Sequence, residues 1–130
     1  MNKAIELHDS ELVAASFDGS SAIVSLNPSY VHSSAGIPGT DSGSGWLQSA
    51  TLTFTGVSAI PALPHLPVDI SEGSLRFGGA CHTNIIPASG TFQAVEFSIV
   101  LSTAESFTIR AQSLTIDLHG EPTFVEVFNK

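Results

Sequence analysis

"SFTIRAQSLTIDL", residues 106–118, decides the fold. Phe107, Ile109 and Ala111 occupy odd positions, and Leu114, Ile116 and Leu118 occupy even ones. A period of two belongs to a strand with one buried face, whereas a helix repeats every ~3.6 residues. A regular strand cannot bury both sets on one face, because a slip of one residue turns every side chain over. No Gly or Pro between the sets marks a full turn. The stretch therefore reads as one continuous strand with a β-bulge at Ala111–Ser113, and with Arg110 on the face opposite Ile109.

The same alternation extends outward. In "ATLTFTGV" (50–57) Leu52 and Phe54 oppose Thr51, Thr53 and Thr55, and in "FQAVEFSIVL" (92–101) Val95, Phe97, Ile99 and Leu101 oppose Glu96 and Ser98. Further strands are predicted at 3–7, 11–17, 21–26, 74–77 and 123–128, with turns at "DGSS" (18–21), "SEGS" (71–74), "PASG" (87–90) and "HGEP" (119–122). "DSELVAAS" (9–16) suits either a strand or a short capped helix, and strand is preferred because the "DGS" turn makes a natural hairpin with Ile23–Leu26. Residues 32–46, "HSSAGIPGTDSGSGW", read as one long Gly/Ser-rich loop, and the prolines of "SAIPALPHLP" (58–67) forbid a central strand there. The expected fold is a single all-β domain over residues 1–130, an antiparallel β-sandwich (jelly-roll-like or barrel-like) with little helix. Its core should contain Leu52, Phe54, Val95, Phe97, Ile99, Ile109, Leu114, Ile116 and Leu118.

Composition narrows the function. The chain has 130 residues, 42% of them hydrophobic and only 12% charged, so it can bury a core without disulfides or metal. The net charge is −8, with Lys3, Lys130, Arg76 and Arg110 as the fixed cations. Nucleic acid and anionic membranes demand several cations on one face, so both are excluded as partners. Cys81 is the single cysteine, which rules out an internal disulfide and a cysteine-rich zinc site. No long apolar run suggests a signal peptide or a membrane span, and a cytoplasmic setting is expected.

The chemistry candidates cluster first at "LHDSEL" (7–12), where His8, Asp9, Ser10 and Glu11 stand between apolar residues. Asp9-Ser10 resembles the nucleophile block of GDSL-type hydrolases, whose triad is completed by a C-terminal Asp and His, here Asp117 and His119. The departures outweigh the resemblance. His8 replaces the glycine, Asp117 and His119 stand two apart instead of three, and the alternating helices of that fold are missing. The reading is an Asx or Ser turn in which the Asp9 or Ser10 side chain accepts a backbone N–H two residues on. His8, His32, His65, His82 and His119 lie scattered, so a metal site with Asp9 or Asp41 would have to be assembled by the fold, and none is expected. Cys81 is expected to be buried and inert, with His82 on the opposite strand face. "RFGGA" (76–80) lacks the lysine and helix of a phosphate loop. Tyr30, His32 and Trp46 flank the long loop and form the candidate ligand-binding residues, since flat apolar faces beside hydroxyls and amides suit a small ligand or peptide.

"IELHDSEL" (5–12) and "GEPTFVEVF" (120–128) together resemble the ends of small uncharacterised bacterial all-β domains, framed by an LHDS-like block and a G-x-P-x-x-V/I-E block. The resemblance implies a bacterial cytosolic β-domain and carries no activity or catalytic residue. The expected function is thus non-enzymatic: an interaction or small-ligand-binding module without cofactor, able to self-associate through open sheet edges. The alternative is a small hydrolase or metal-dependent enzyme using His8, Asp9, Ser10, His32 or His82.

Overall fold

The alternating runs become unusually long strands. The computed structural model describes residues 1–59 and 61–130, which form nine strands and no helix. In chain order these are β1 (Asn2–Glu6), β2 (Glu11–Asp18), β3 (Ser21–Ser34), β4 (Gly43–Val57), β5 (Val68–Phe77), β6 (Ala80–Thr83), β7 (Ile85–Pro87), β8 (Gly90–Leu101) and β9 (Ser106–Phe128). The segment left ambiguous, residues 9–16, is strand from Glu11 onward.

All pairings are antiparallel, and six of them close a ring: β2–β3, β3–β4, β4–β9, β9–β8, β8–β5 and β5–β2. The fold is therefore barrel-like, the closed form of the predicted antiparallel class, and closure removes sheet edges wherever it is complete. The seam is short, since β2 and β5 pair only at Glu11↔Asp69 and Leu12↔Val68. Beyond the barrel, β3, β4 and β9 continue as an extension in which β1 pairs with Tyr30–Ser34 of β3, and β7 pairs with β1.

The buried apolar residues form one cluster, with Phe54 and Phe97 in ring contact at 5.8 Å. Burying each such side chain contributes about 1.5–3 kcal/mol. Of the nine residues read as core, eight are buried, and Leu118 is partly buried against the cluster. Leu118 lies just beyond the point where β8 stops covering β9 at Ile116.

The run 32–46 is not one long loop. It is strand at both ends, and only residues 35–42 connect β3 to β4. Its glycines serve close packing: a Cβ on Gly43 would stand 2.1 Å from the Ser33 carbonyl oxygen, and one on Gly45 would stand 2.0 Å from the Tyr30 hydroxyl. "DGSS" and "PASG" do turn the chain, but "SEGS" lies inside β5 and "HGEP" inside β9. At "HGEP" four steps of β9 (His119 to Thr123) face two of β4 (Ser49 to Leu47), so the excess residues bulge while the strand continues. Gln48 Nε2 donates to the Gly120 carbonyl across the gap, at 2.8 Å.

The parity break of residues 107–118 is resolved differently from the expected bulge. Phe107, Ile109, Ala111, Leu114 and Ile116 are all buried in the one core. Yet no register shift accompanies them: Ala111 and Ser113 face Val95 and Gln93 on one side, and Val57 and Thr55 on the other. Each of the three strands instead has one residue outside the ladder in the same row, Gly56, Gln112 and Ala94. Gly56 and Ala94 have φ of +66° and +51°. Because all three strands invert together, none has a surplus residue relative to its neighbour.

Left-handed backbone costs an L-residue about 1–2 kcal/mol, a cost that glycine escapes. Gly56→Ala is therefore expected to lower unfolding free energy by at least that amount, because its Cβ would also stand 2.6 Å from Gln112 Cγ and 2.8 Å from Gln112 Cβ, while Ala94→Gly should leave it unchanged or raise it, as read by urea denaturation. Equal losses in both variants would contradict the inverted row.

Candidate functional site

Ser10 shows at once what "LHDSEL" does. The Ser10 amide donates to the Leu7 carbonyl at 3.0 Å, closing a turn between β1 and β2. Its hydroxyl donates to the Glu6 carbonyl at 2.7 Å and accepts from the Tyr30 amide at 3.0 Å. Ser10 is buried, and both of these bonds go to backbone. It is a staple between the turn and β3 and is not presented to a base; the expected turn is present, but the Ser10 hydroxyl accepts from Tyr30, twenty residues away, and not from an N–H two residues on. His8 is exposed beside it, with Nδ1 2.7 Å from the Ser71 carbonyl oxygen. Asp117 and His119 stand opposite Thr51 and Ser49 in the β4–β9 ladder.

Tyr30 then links this turn to the other end of the chain. Its hydroxyl donates to Glu126 Oε1 at 2.5 Å, in the space that Gly45 leaves open. The two blocks singled out at the termini, 7–10 and 120–126, thus meet through one side chain. Neighbouring His32 is buried, with Nε2 3.0 Å from Glu6 Oε1 and its ring between Tyr30 (5.1 Å) and Phe128 (5.2 Å, stacked). Glu6, Glu126 and Phe128 were not legible as site residues, because each is defined by a partner far away in sequence.

Trp46 does not join this cluster. It pairs with Val31, so it lies on the sheet face opposite Tyr30 and His32. There it borders a 560 Å³ hollow with Met1, Lys3 and Pro122, bonds Ser44 Oγ through Nε1 at 2.8 Å, and meets Phe124 edge-on at 5.2 Å. The expected Tyr30–His32–Trp46 site is accordingly split into a polar pair and an aromatic anchor by the alternation of side chains along β3.

The electrostatics follow from burial and from Asp9. Loss of water raises the Glu6 carboxyl above its ordinary 4.5, and a hydrogen bond to Asp9 adds to the rise, opposed by His32. The Ser71 carbonyl, then the Asp9 charge, raise His8 above 6.5. Burial first, and the bond to Glu126 next, push the Tyr30 phenol well above 10, so it remains a donor at neutral pH. Glu6 and His32 have the geometry of an orienting carboxylate and a base. No nucleophile completes it among the described residues, since His32 has no hydroxyl or thiol in hydrogen-bond contact.

His82 lies elsewhere, stacked on Phe77 at 5.0 Å. No group of three or more His, Cys, Asp or Glu is arranged to hold a metal among the described residues. Cys81 is exposed, contrary to the expected burial, because β6 is a four-residue strand that pairs only with β5 among the described residues and has no fully buried residue. No helix among the described residues is long and apolar enough to cross a membrane.

One further feature is a bare edge. β8 flanks β9 only as far as Ile116, so the length from Asp117 to Phe128 has β4 on one side and no strand on the other among the described residues. Phe124, Val125 and Val127 are 51%, 43% and 60% exposed there.

Asp9→Asn tests the polar cluster. A raised carboxylate favours the folded state when protonated, so Glu6 contributes stability below 4.5 that fades as pH rises through its folded pKa. His8, raised as a cation, contributes stability below 6.5 that is likewise lost above its own folded value. Asp9 raises both groups, so Asp9→Asn should lower both pKa values in an NMR titration and flatten the fall of stability across that window. An unmoved His8 resonance would contradict the assignment.

No protein-family model, curated protein or solved structure matches the chain.

Proposed function

We propose that the chain is a non-enzymatic interaction module of the bacterial cytoplasm that docks a second copy of itself on the free end of β9, Thr123–Phe128. The observation that carries this reading is the bare edge with Phe124, Val125 and Val127 exposed on it. Exposed apolar residues beside unpaired backbone favour another strand, and main-chain bonds would supply affinity. A like copy is the simplest occupant, because it brings the same apolar residues to both sides of a symmetric interface. The edge is also limited. Pro122, the bulge at 120–122 and a second register shift between Glu126 and Phe124 interrupt it, which favours a closed dimer over an extended stack. Glu126, tied to Tyr30, has its charge held against its own sheet. A cytoplasmic setting suits a chain whose single cysteine is exposed and unpaired.

The enzymatic alternative loses support at Ser10, whose hydroxyl is engaged with backbone on both sides. His32 and His82 are also held apart, in β3 and β6 respectively.

The net charge of −8 opposes association until salt screens it, over ~8 Å at physiological ionic strength. Light scattering should therefore show the mass rising from the 13.5 kDa monomer toward a dimer with protein concentration, more readily at higher salt. The double variant Val125→Glu/Val127→Glu should remain monomeric. A wild type that stays monomeric throughout, or a double variant that dimerises equally well, would overturn the proposal.

A further inference from the structure

The hollow beside Trp46 lies where the inner face of the barrel runs out onto the extension. Along β4 the even-numbered Phe54, Leu52 and Ala50 belong to the core, and Gln48, Trp46 and Ser44 continue that face into the 560 Å³ space. Small-molecule sites are typically about 300–1,000 Å³, and barrel mouths are among the places where they occur. Strand pairing sorts the lining into rows. Val31 and Trp46 form an apolar row, with Gln48 in the row on one side of it and Lys3, Ser33 and Ser44 in the row on the other. Residues two apart along a strand stand about 6.8 Å from each other, so polar groups flank the indole at both ends. Pro122, beside the bulge of β9, adds a further apolar wall to the same hollow.

The indole is held in place while the polar groups around it are open. Ser44 Oγ accepts from Trp46 Nε1 at 2.8 Å, and Phe124 meets the ring edge-on from the β9 side. Gln48 Nε2 donates to the Gly120 carbonyl, which orients the amide and leaves Oε1 with no hydrogen bond among the described residues. Ser33 is only 7% exposed, yet its hydroxyl makes no hydrogen bond among the described residues either. Every sealed side-chain nitrogen or oxygen there has a partner, so this unbonded hydroxyl opens on the hollow that it lines. Lys3, its ladder partner, makes no ion pair among the described residues.

We propose that this hollow binds a neutral sugar, with one ring packed against Trp46 and its hydroxyls bonded to Ser33, Gln48 and Lys3. A pyranose presents C–H groups on its face and hydroxyls around its rim, which matches an apolar row between two polar ones. Its hydroxyls both donate and accept. The site asks for both, since Lys3 only donates, Gln48 Oε1 only accepts, and the Ser33 hydroxyl does either. A hydrocarbon ring would displace water and leave the Ser33 and Gln48 oxygens without partners. A small carboxylate would gain a single exposed cation and set its charge among groups that include an acceptor. None of the lining residues lies in Thr123–Phe128, so the site does not depend on the dimer proposal.

The test is an NMR titration of the full chain with cellobiose, maltose and diacetylchitobiose, followed through the Trp46 indole N–H and the backbone amides of Val31, Ser33 and Gln48. Trp46 is the single tryptophan, so its indole gives one resonance. Saturable shifts confined to this set are expected with at least one of the three sugars. Ser33→Ala should weaken that sugar by about three- to tenfold, the loss of one hydrogen bond. The same variant should keep the urea midpoint of the unaltered protein, because its hydroxyl bonds nothing within the chain. Benzoate at equal concentration should shift these resonances less than the sugar does, a comparison that does not depend on any variant. Absent or scattered shifts with all three sugars, a stronger response to benzoate, or full sugar affinity in Ser33→Ala would each overturn the proposal.

Discussion

Three strands have to satisfy both the closed barrel and its extension at once, and the rest of the molecule follows from that constraint. β3, β4 and β9 run without interruption from the closed barrel into the extension, so their side chains must be sorted correctly in both. In the barrel the sorting is apolar. Phe54, Leu114 and Ile116 point inward with Val95, Phe97 and Ile109, and the inverted row at Gly56, Gln112 and Ala94 keeps both halves of β9 facing one core. In the extension it is polar. Tyr30 and His32 point to one face and meet Glu126, Glu6 and Phe128, while Val31 and Trp46 take the other.

Tyr30 is where these demands are reconciled. Its amide bonds the Ser10 hydroxyl and its phenol bonds Glu126, so the β1–β2 turn, β3 and the far end of β9 share one anchor. Gly45 makes this possible by having no Cβ where the phenol lies. Ser10, which suggests a nucleophile in the sequence, is bonded to backbone on both sides in the fold. The cost of burying hydroxyl and carboxylate groups is met because no buried side-chain nitrogen or oxygen lacks a partner among the described residues.

The fold class was legible because alternation is a local property: Val95, Phe97, Ile99, Leu114 and Ile116 announce their buried face without reference to any partner. The extension was not, because Gly43 and Gly45 read as loop residues until the strand that approaches them is known. "HGEP" has turn chemistry, but β4 continues alongside it, and pairing overrides the local preference. The candidate site was half legible. Tyr30 and His32 do meet, whereas Trp46 was separated from them by a register that only the β3–β4 pairing reveals. Cys81 was misread because burial statistics for cysteine do not foresee a short strand that has no fully buried residue.

The central claim is that the sorting of β9 leaves its last residues as an open edge for a partner. Residue-resolved amide hydrogen exchange on Thr123–Phe128, run at increasing protein concentration, tests it most directly. The account predicts a fast-exchanging set of amides in this stretch at low concentration, slowing as concentration rises, while the Leu114–Ile116 amides between β4 and β8 stay protected throughout. Full protection of 123–128 at the lowest concentration, or a fast set unaffected at the highest, would contradict it.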